Sequence, residues 1–385
     1  MIRAYLDNNA TTRLAPEALA AMTPYLTDHF LNPSSRAGQI LGMGDPGGDA
    51  RRAVAALFGD VDAAAGVVIT SGASEANSWA VASATIDGEP GRLAISAIEH
   101  PSINEAARAC EMRGWVVDVL PVDASGHLQV AAAQRIIRSD TRLVCAMAAN
   151  NETGVVQPLR ELGAAVRAIA PGAHIHVDVT QAVGRLSLDL WGDLAEADTL
   201  ALSAHKFGGP KGVGALFARP SVKLRPLIHG HQEDGLRGGT PDPAGAAGLA
   251  AAATQARAAL LRASAVAALR DHFEAELRAR LPQVRINGSG APRLPNTSSI
   301  IVPGLDATEA VDQLAAQGIC IATGSACTSG SPAPSHVLIA MGVAYDDARS
   351  TLRISLSPDT TIDEINLAGE AIVRLWDRSR MATAS

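Results

Sequence analysis

Aromatic residues make up only 3% of the 385 residues. A core here must be filled by Ala, Val and Leu, and with 47% hydrophobic residues a large one is available. No run approaches the roughly 18 apolar residues of a membrane-spanning helix, and no secretory leader pattern precedes the polar stretch Asp7-Asn8-Asn9. Long basic runs are missing and the net charge is −7, which argues against nucleic acid and anionic membranes as partners. The four cysteines, Cys110, Cys145, Cys320 and Cys327, include no CxxC pair. That pattern predicts a reducing, cytoplasmic setting without structural disulfides or structural zinc. Neither GxxxxGK[ST] nor a GxGxxG after a strand occurs, so nucleotide binding is not indicated. The sequon Asn296-Thr297-Ser298 carries no meaning without secretion.

What is present is alternation. Apolar runs predict strands over 66–70, 92–96, 115–120, 143–148, 174–179, 199–203 and 214–218, with helices from Ser74 and over 159–169. Strands alternating with helices predict a mostly parallel, covered sheet, hence an α/β fold. From about residue 246 the pattern changes: a long Ala-, Leu- and Arg-rich helix over 246–281, stopped near Pro282. It is followed by strand 299–302, helix 307–316, strands 319–322 and 351–356, and helix 362–376. This second part reads as a smaller α+β domain. The expected division is a large domain over 13–257 and a small one formed by 1–12 and 258–385. The stretch 42–48, with Gly42, Gly44, Pro46, Gly47 and Gly48, reads as loop.

Several strand carboxyl ends carry polar residues, which is where open α/β sheets bind ligands. Ser203-Ala204-His205-Lys206 leads into a glycine-rich turn, and Lys206 there suits a Schiff-base nucleophile or is simply a surface lysine. In His174-Ile175-His176-Val177-Asp178 the alternate residues share one face. They fit a metal site, ordinary strand-end polarity, or a single functional carboxylate, Asp178, pairing with a pyridinium nitrogen. The metal reading ranks lower, because no ligand motif such as HExxH accompanies it. Thr70-Ser71-Gly72-Ala73-Ser74 offers a phosphate site at a helix N-terminus or a plain N-cap at Ser74, with nothing to choose between them. His100 and Asn150-Asn151 also follow strands. Five such ends on one edge are much harder to obtain by chance than any single one.

The set resembles the class V aminotransferase group of fold-type I pyridoxal 5′-phosphate (PLP) enzymes, and within it the cysteine desulfurases of the NifS/IscS kind. The likeness spans nearly the whole chain: Tyr5-Leu6-Asp7-Asn8-Asn9-Ala10-Thr11-Thr12, Asn32-Pro33-Ser34-Ser35, the Thr70 turn, Glu99-His100-Pro101, Asn150 to Gly154, the Asp178 strand, Ser203-x-His205-Lys206, Gly238-Gly239-Thr240 and the Cys327 loop. The resemblance implies a large PLP-binding domain plus a small one, and removal of sulfur from L-cysteine to give L-alanine and a persulfide on Cys327. It implies Lys206 as cofactor lysine and proton shuttle, His100 as ring-stacking acid–base partner, and Asp178 on the pyridine nitrogen. Gln181 and Asn151 belong near the phenolic oxygen, and Ala73, Ser74, Ser203 and His205 around the phosphate. Thr240 would reach the phosphate of a second subunit, so a homodimer is implied. Arg353, with Asn151 and Asn32, would hold the substrate, unless Arg353 is only a strand-edge salt bridge. The sulfur acceptor would be an iron–sulfur scaffold protein, and the Tyr5-to-Thr12 motif leans toward the nitrogenase-linked branch. No metal is implied. A selenocysteine lyase, a small-amino-acid aminotransferase and a non-enzymatic iron–sulfur scaffold are the alternatives.

Cys327 differs from the other thiols in its surroundings. Gly324, Ser325, Ala326, Thr328, Ser329 and Gly330 flank it, whereas Cys110, Cys145 and Cys320 fall in a helix and two apolar strands, where burial makes a thiol inert. The loop 323–334, at half its extended length, spans roughly 20 Å at ~3.3 Å per residue, enough to travel between a pocket and a partner. The sequence also departs from its relatives. His229-Gly230-His231-Gln232-Glu233-Asp234 replaces Gly-Gly-Gly-Gln-Glu-Arg, and Arg36-Ala37-Gly38 follows Ser35.

Overall fold

The computed structural model describes residues 1–41, 44–87, 89–324 and 334–383; Cys327 lies outside the described residues. After β1 (Ala4–Tyr5) come β2 (Val67–Thr70), β3 (Arg92–Ser96), β4 (Val116–Leu120), β5 (Thr141–Met147), β6 (His174–Asp178), β7 (Thr199–Ser203) and β8 (Gly214–Ala218). The last seven form one sheet in the order β2-β8-β7-β6-β5-β3-β4. Neighbours from β7 to β4 are parallel, while β8 is antiparallel to both β7 and β2. Parallel neighbours require crossovers. Helices Ala73–Thr85, Pro101–Glu111, Val130–Ile136 and Leu159–Ile169 supply them. With helices covering the sheet, β7 and β8 are buried along their whole length and read as continuous small apolar runs. This topology turns the carboxyl ends of β2, β3, β5, β6 and β7 toward one edge.

The second unit is antiparallel. β9 (Arg285–Ile286), β10 (Thr297–Ile301), β11 (Ile319–Cys320), β12 (Ala322–Thr323) and β13 (Thr351–Ser355) follow in the chain. Four of them form a sheet in the order β12-β13-β10-β9, and β11 pairs in parallel with β1. Leu6, Phe273, Leu314, Ile354 and Ile372 belong to its core. Helices Ala263–Arg280, Ala307–Ala316 and Ile362–Thr383 supply much of that core.

Three expectations change. The stretch 42–48 is not all loop, because a helix begins at Pro46 and runs to Leu57. Asp45 caps it, its carboxylate accepting the N–H of Gly48 at 2.8 Å, and proline at the first helical position has no N–H to waste. A Cβ on Gly48 would overlap that carboxylate, so the glycine belongs to the cap. The helix over 246–281 is two helices, Pro243–Ala259 and Ala263–Arg280, separated by a 3-10 turn at Leu260–Arg262. The strand over 319–322 divides between two sheets at Ile321, and Cys320 is half-buried rather than enclosed.

Candidate active site

Asp178 ends β6 with its carboxylate buried. Oδ1 accepts the N–H of Thr180 at 2.9 Å and Oδ2 accepts an amide hydrogen of Asn77 at 2.8 Å. Beyond β3, His100 caps the helix Pro101–Glu111: its Nδ1 accepts the N–H of Ser102 at 3.1 Å and lies 2.9 Å from the Ser102 hydroxyl. A ring nitrogen that accepts carries no proton, so neutral His100 bears its hydrogen on Nε2. Burial lowers its pKa, and Lys206 and His336 act in the same direction against Asp178. Behind it, Glu99 is fully enclosed. Burial pushes its pKa up to about 8, although Oε1 accepts from Ser96 and from the N–H of Met147, and Oε2 has no partner among the described residues.

Lys206 follows β7 in a short 3-10 turn, and its Nζ donates to the carbonyls of Asn9 and Ala10, both at 2.8 Å. The segment 5–12 thus lies directly against the lysine. Asn9 is its hub. Its carbonyl also accepts from Gln181 at 3.1 Å, its Nδ2 donates to the Asn151 carbonyl and Thr297, and its Oδ1 accepts from Asn296 at 3.0 Å. Asn296 being buried in this way, the sequon there is a structural feature. Gln181 Oε1 accepts from Arg185 at 2.5 Å. Burial, with help from Arg353, lowers the Arg185 pKa to about 10.

Arg353 is 1% exposed on β13. It does form a salt bridge, with Asp7 at 2.7 Å, and donates to the Asn151 carbonyl at 3.3 Å. Its Nε is buried without a partner among the described residues, a donor still available to an anion. Nearby, Glu152 is enclosed and hydrogen-bonded to Ser335 at 2.5 Å, and burial raises its pKa to about 7.

The turn after β2 is built for a close approach. Gly72 has φ 151°, a left-handed backbone that glycine permits, and a Cβ there would stand 3.4 Å from Ser203 Oγ. The helix from Ala73 to Thr85 starts immediately after it, so the N–H groups of Ala73 and Ser74 lie in its first turn, where no intrahelical acceptor exists for them. His205 bonds Thr11 at 3.1 Å, and burial first, then Lys206, lowers its pKa to about 4. Asn32 and Thr240 are exposed. Asn32 closes its own turn through Ser34 and Ser35, and Gly38 is buried against the Asn32 carbonyl, where a Cβ would clash. The departure at Arg36-Ala37-Gly38 is therefore accommodated by the turn. In the other departure, Glu233 pairs with Arg51 at 2.7 Å, and both Glu233 and Asp234 take positive φ.

These residues fit PLP: an amine, a buried carboxylate on the neighbouring strand end, a glycine turn with hydroxyl and N–H donors, and an unpartnered buried guanidinium nitrogen. His174 and His176 are hydrogen-bonded to Thr199, and His176 also to Asn77; among the described residues no group of three or more His, Cys, Asp or Glu able to hold a metal occurs. A cavity of about 650 Å³ is lined by Tyr5, Asn8 and Thr12 together with Lys206, Arg185 and Val266. His100 and Asp178 are absent from its walls. Asn9, Asn77, Ser102 and Arg185 were not singled out from the sequence. Their signal is weak, because each acts through partners distant in the chain.

No described helix is long and apolar enough to cross a membrane. A cysteine desulfurase of Cereibacter sphaeroides is 43% identical over 384 residues, covering 99% of this chain and 97% of the relative. A solved structure described as a NifS-like protein superposes with a TM-score of 0.89 at 32% identity, covering 98% of this chain and all of the other. The structure of SspA in complex with cysteine matches with a TM-score of 0.80 at 32% identity, covering 93% of this chain and all of the other. With the aminotransferase class-V model matching residues 4–367, the chain belongs to the class-V aminotransferase family.

Proposed function

We propose that this protein is a PLP-dependent cysteine desulfurase. The observation that carries the reading is the meeting of Lys206 and Asp178 at adjacent strand ends with a buried Arg353 whose Nε has no partner among the described residues. Bound PLP supplies an electron sink. Asp178 would hold its ring nitrogen, Lys206 would anchor it and carry the substrate's α-proton, and His100 would stack on the ring with Nε2–H as proton donor. Gln181 and Asn151 would face the phenolic oxygen. Ala73, Ser74, Ser203 and His205 would hold the phosphate, joined by Thr240 from a second copy. Arg353 would grip the cysteine carboxylate through its fork of N–H groups, with Asn151 and Asn32 at the entrance.

The reaction joins L-cysteine and the Cys327 thiol to give L-alanine and a Cys327 persulfide. The thiolate sulfur attacks the substrate sulfur, the C–S bond breaks, and its electron pair is protonated at carbon. Exposed Leu19, Leu26, Phe30, Ile40 and Leu41 support a homodimer that covers them. The division into domains 13–257 and 1–12 with 258–385, a cytoplasmic location and an iron–sulfur scaffold as sulfur acceptor belong to the same reading, and the Tyr5-to-Thr12 motif leans toward nitrogenase clusters.

The test is sulfide and alanine release from L-cysteine by the parent, C327A and C320A. C327A is expected to bind PLP and release no sulfide, with C320A active. Undiminished release by C327A, or radioactive sulfur mapped to another residue, overturns the assignment.

A further inference from the structure

Behind Asp178 runs a chain of hydrogen bonds that the reaction as drawn above does not use. Asn77 Nδ2 donates to Asp178 Oδ2 at 2.8 Å and to Ser102 Oγ at 2.9 Å. Asn77 Oδ1 lies 2.9 Å from His176 Nε2, and His176 Nδ1 lies 2.9 Å from Thr199 Oγ1. Thr199 Oγ1 is in turn 2.7 Å from His174 Nε2. Asn77, His176 and Thr199 have no solvent exposure.

A carboxylate only accepts, so Asn77 must present its NH₂ to Asp178 and its carbonyl to His176. His176 Nε2 is then the protonated nitrogen, and Nδ1 must accept. The Thr199 hydroxyl must donate to Nδ1, which leaves its oxygen to accept from His174 Nε2–H. Each link admits one direction. On the other branch, Ser102 Oγ accepts from Asn77, so its hydrogen is available to His100 Nδ1. One carboxamide therefore touches Asp178 directly and His100 through Ser102, the two groups assigned to the cofactor ring. Burial lowers the pKa of His176 to about 3 and also lowers that of His174, so the rings stay neutral and the direction of the chain does not change near neutrality.

We propose that Asn77, backed by His176 and the Thr199 hydroxyl, is a positioning device that orients the Asp178 carboxylate and fixes the His100 tautomer for the cofactor ring. The inference rests on the assignment of Asp178 and His100 to bound PLP.

The test measures the dissociation constant of PLP from the apoprotein, together with the visible absorption maximum of the bound cofactor. T199V keeps the shape and removes the hydroxyl. The His176 ring then loses the bond that fixes it, its Nε2–H no longer holds the Asn77 carbonyl in place, and the Asn77 NH₂ group loses its fixed aim at Asp178. A hydrogen bond to a charged group is worth roughly tenfold or more in binding. T199V is expected to weaken PLP binding about tenfold and shift the absorption maximum. T199S, which retains the hydroxyl, is expected to restore both toward the parent. H176F, which removes the N–H to Asn77, is the second probe should T199V fold poorly, and is expected to behave like T199V.

D178N separates the two levels of the argument. Loss of PLP affinity in D178N with parental affinity and absorption in T199V or H176F overturns the positioning chain alone. Parental affinity in D178N overturns the assignment of Asp178. T199S as impaired as T199V also overturns the chain, since the hydroxyl would not be the cause.

Discussion

The edge of the seven-stranded sheet and the segment 5–12 both contribute to the candidate site, in opposite ways. The edge delivers His100, Asp178, Ser203 and Lys206 from strands and turns whose geometry is set by regular backbone pairing. The segment has almost no regular pairing beyond Ala4–Tyr5 on β11. It is held by isolated backbone bonds at Leu6, Asn8 and Thr12 and by side chains: Asn8 on the Ser355 carbonyl at 2.9 Å, the Asn9 N–H on the Ser355 hydroxyl, the Asn9 side chain on Thr297 and Asn296, and Thr12 on the His205 carbonyl. Chemistry is supplied mainly by the first region and alignment of the two units by the second. Substitutions in the two regions should therefore fail differently.

K206A attacks the edge. Turnover of cysteine should drop about a thousandfold or more, with the visible band of the cofactor lost and the circular dichroism of the fold retained. Parental sulfide release with that band intact would refute it. N9A attacks the segment. It takes one bond from each of Asn296, Thr297 and the Asn151 carbonyl, which keep Leu356, Asn296 and Arg353 in turn, at about 0.5–1.5 kcal/mol for each bond lost. Urea unfolding should show a clear loss of stability together with a fall in kcat/KM of about a hundredfold. A fall in turnover with unchanged stability would break the contrast between the two regions.

R353K probes their meeting point. Lysine keeps the charge and loses the fork, so KM for cysteine should rise about tenfold while PLP affinity stays near the parent value; steady-state kinetics and cofactor titration decide.

E99Q has the smallest expected effect, visible as a slope. Glu99 carries a pKa of about 8 in the fold against an ordinary 4.5. The native state therefore holds the extra proton, and the associated stability is complete below about 4.5 and lost as pH rises through about 8. Glu152, at about 7, adds to that loss. His176 acts oppositely: its stability is complete above 6.5 and lost as pH falls toward 3. Thermal melts of E99Q should decline less steeply between about pH 5 and 8 than those of the parent, and identical slopes would show that Glu99 does not titrate there.

The same contrast explains what could be read in advance. The strand-end residues are legible because short continuous apolar runs give both the strand and the place where it stops. Asp178 and Lys206 follow such runs directly. Asn9 lies in a polar stretch with no period, and its partners at 296, 297 and 355 are invisible without the fold. Glycines at 47 and 48 hid a helix, because propensity was weighed without the Asp45 cap and the Pro46 start. Ile321 gave no sign that the strand around it changes sheets, since both halves are apolar. The His174-His176 pair was seen but left open among three meanings, because a shared strand face does not reveal that Thr199 and Asn77 complete it.

The parallel pairing of β1 with β11 joins residues far apart in the chain, and the bonds that link Asp7 and Asn8 to β13 join residues separated by 346 and 347 positions. During synthesis at about 5–20 residues per second, segment 5–12 waits roughly 17–70 s for those partners to be made. The Lys206 turn is complete well before β13 exists, so a nascent chain can present its lysine and the strand edge while the alignment of the two units is still lacking. Ribosome-bound intermediates of this protein should carry an exposed, polar, unpaired leading segment. A competent pocket should form only late, when β13 emerges and draws segment 5–12 onto it.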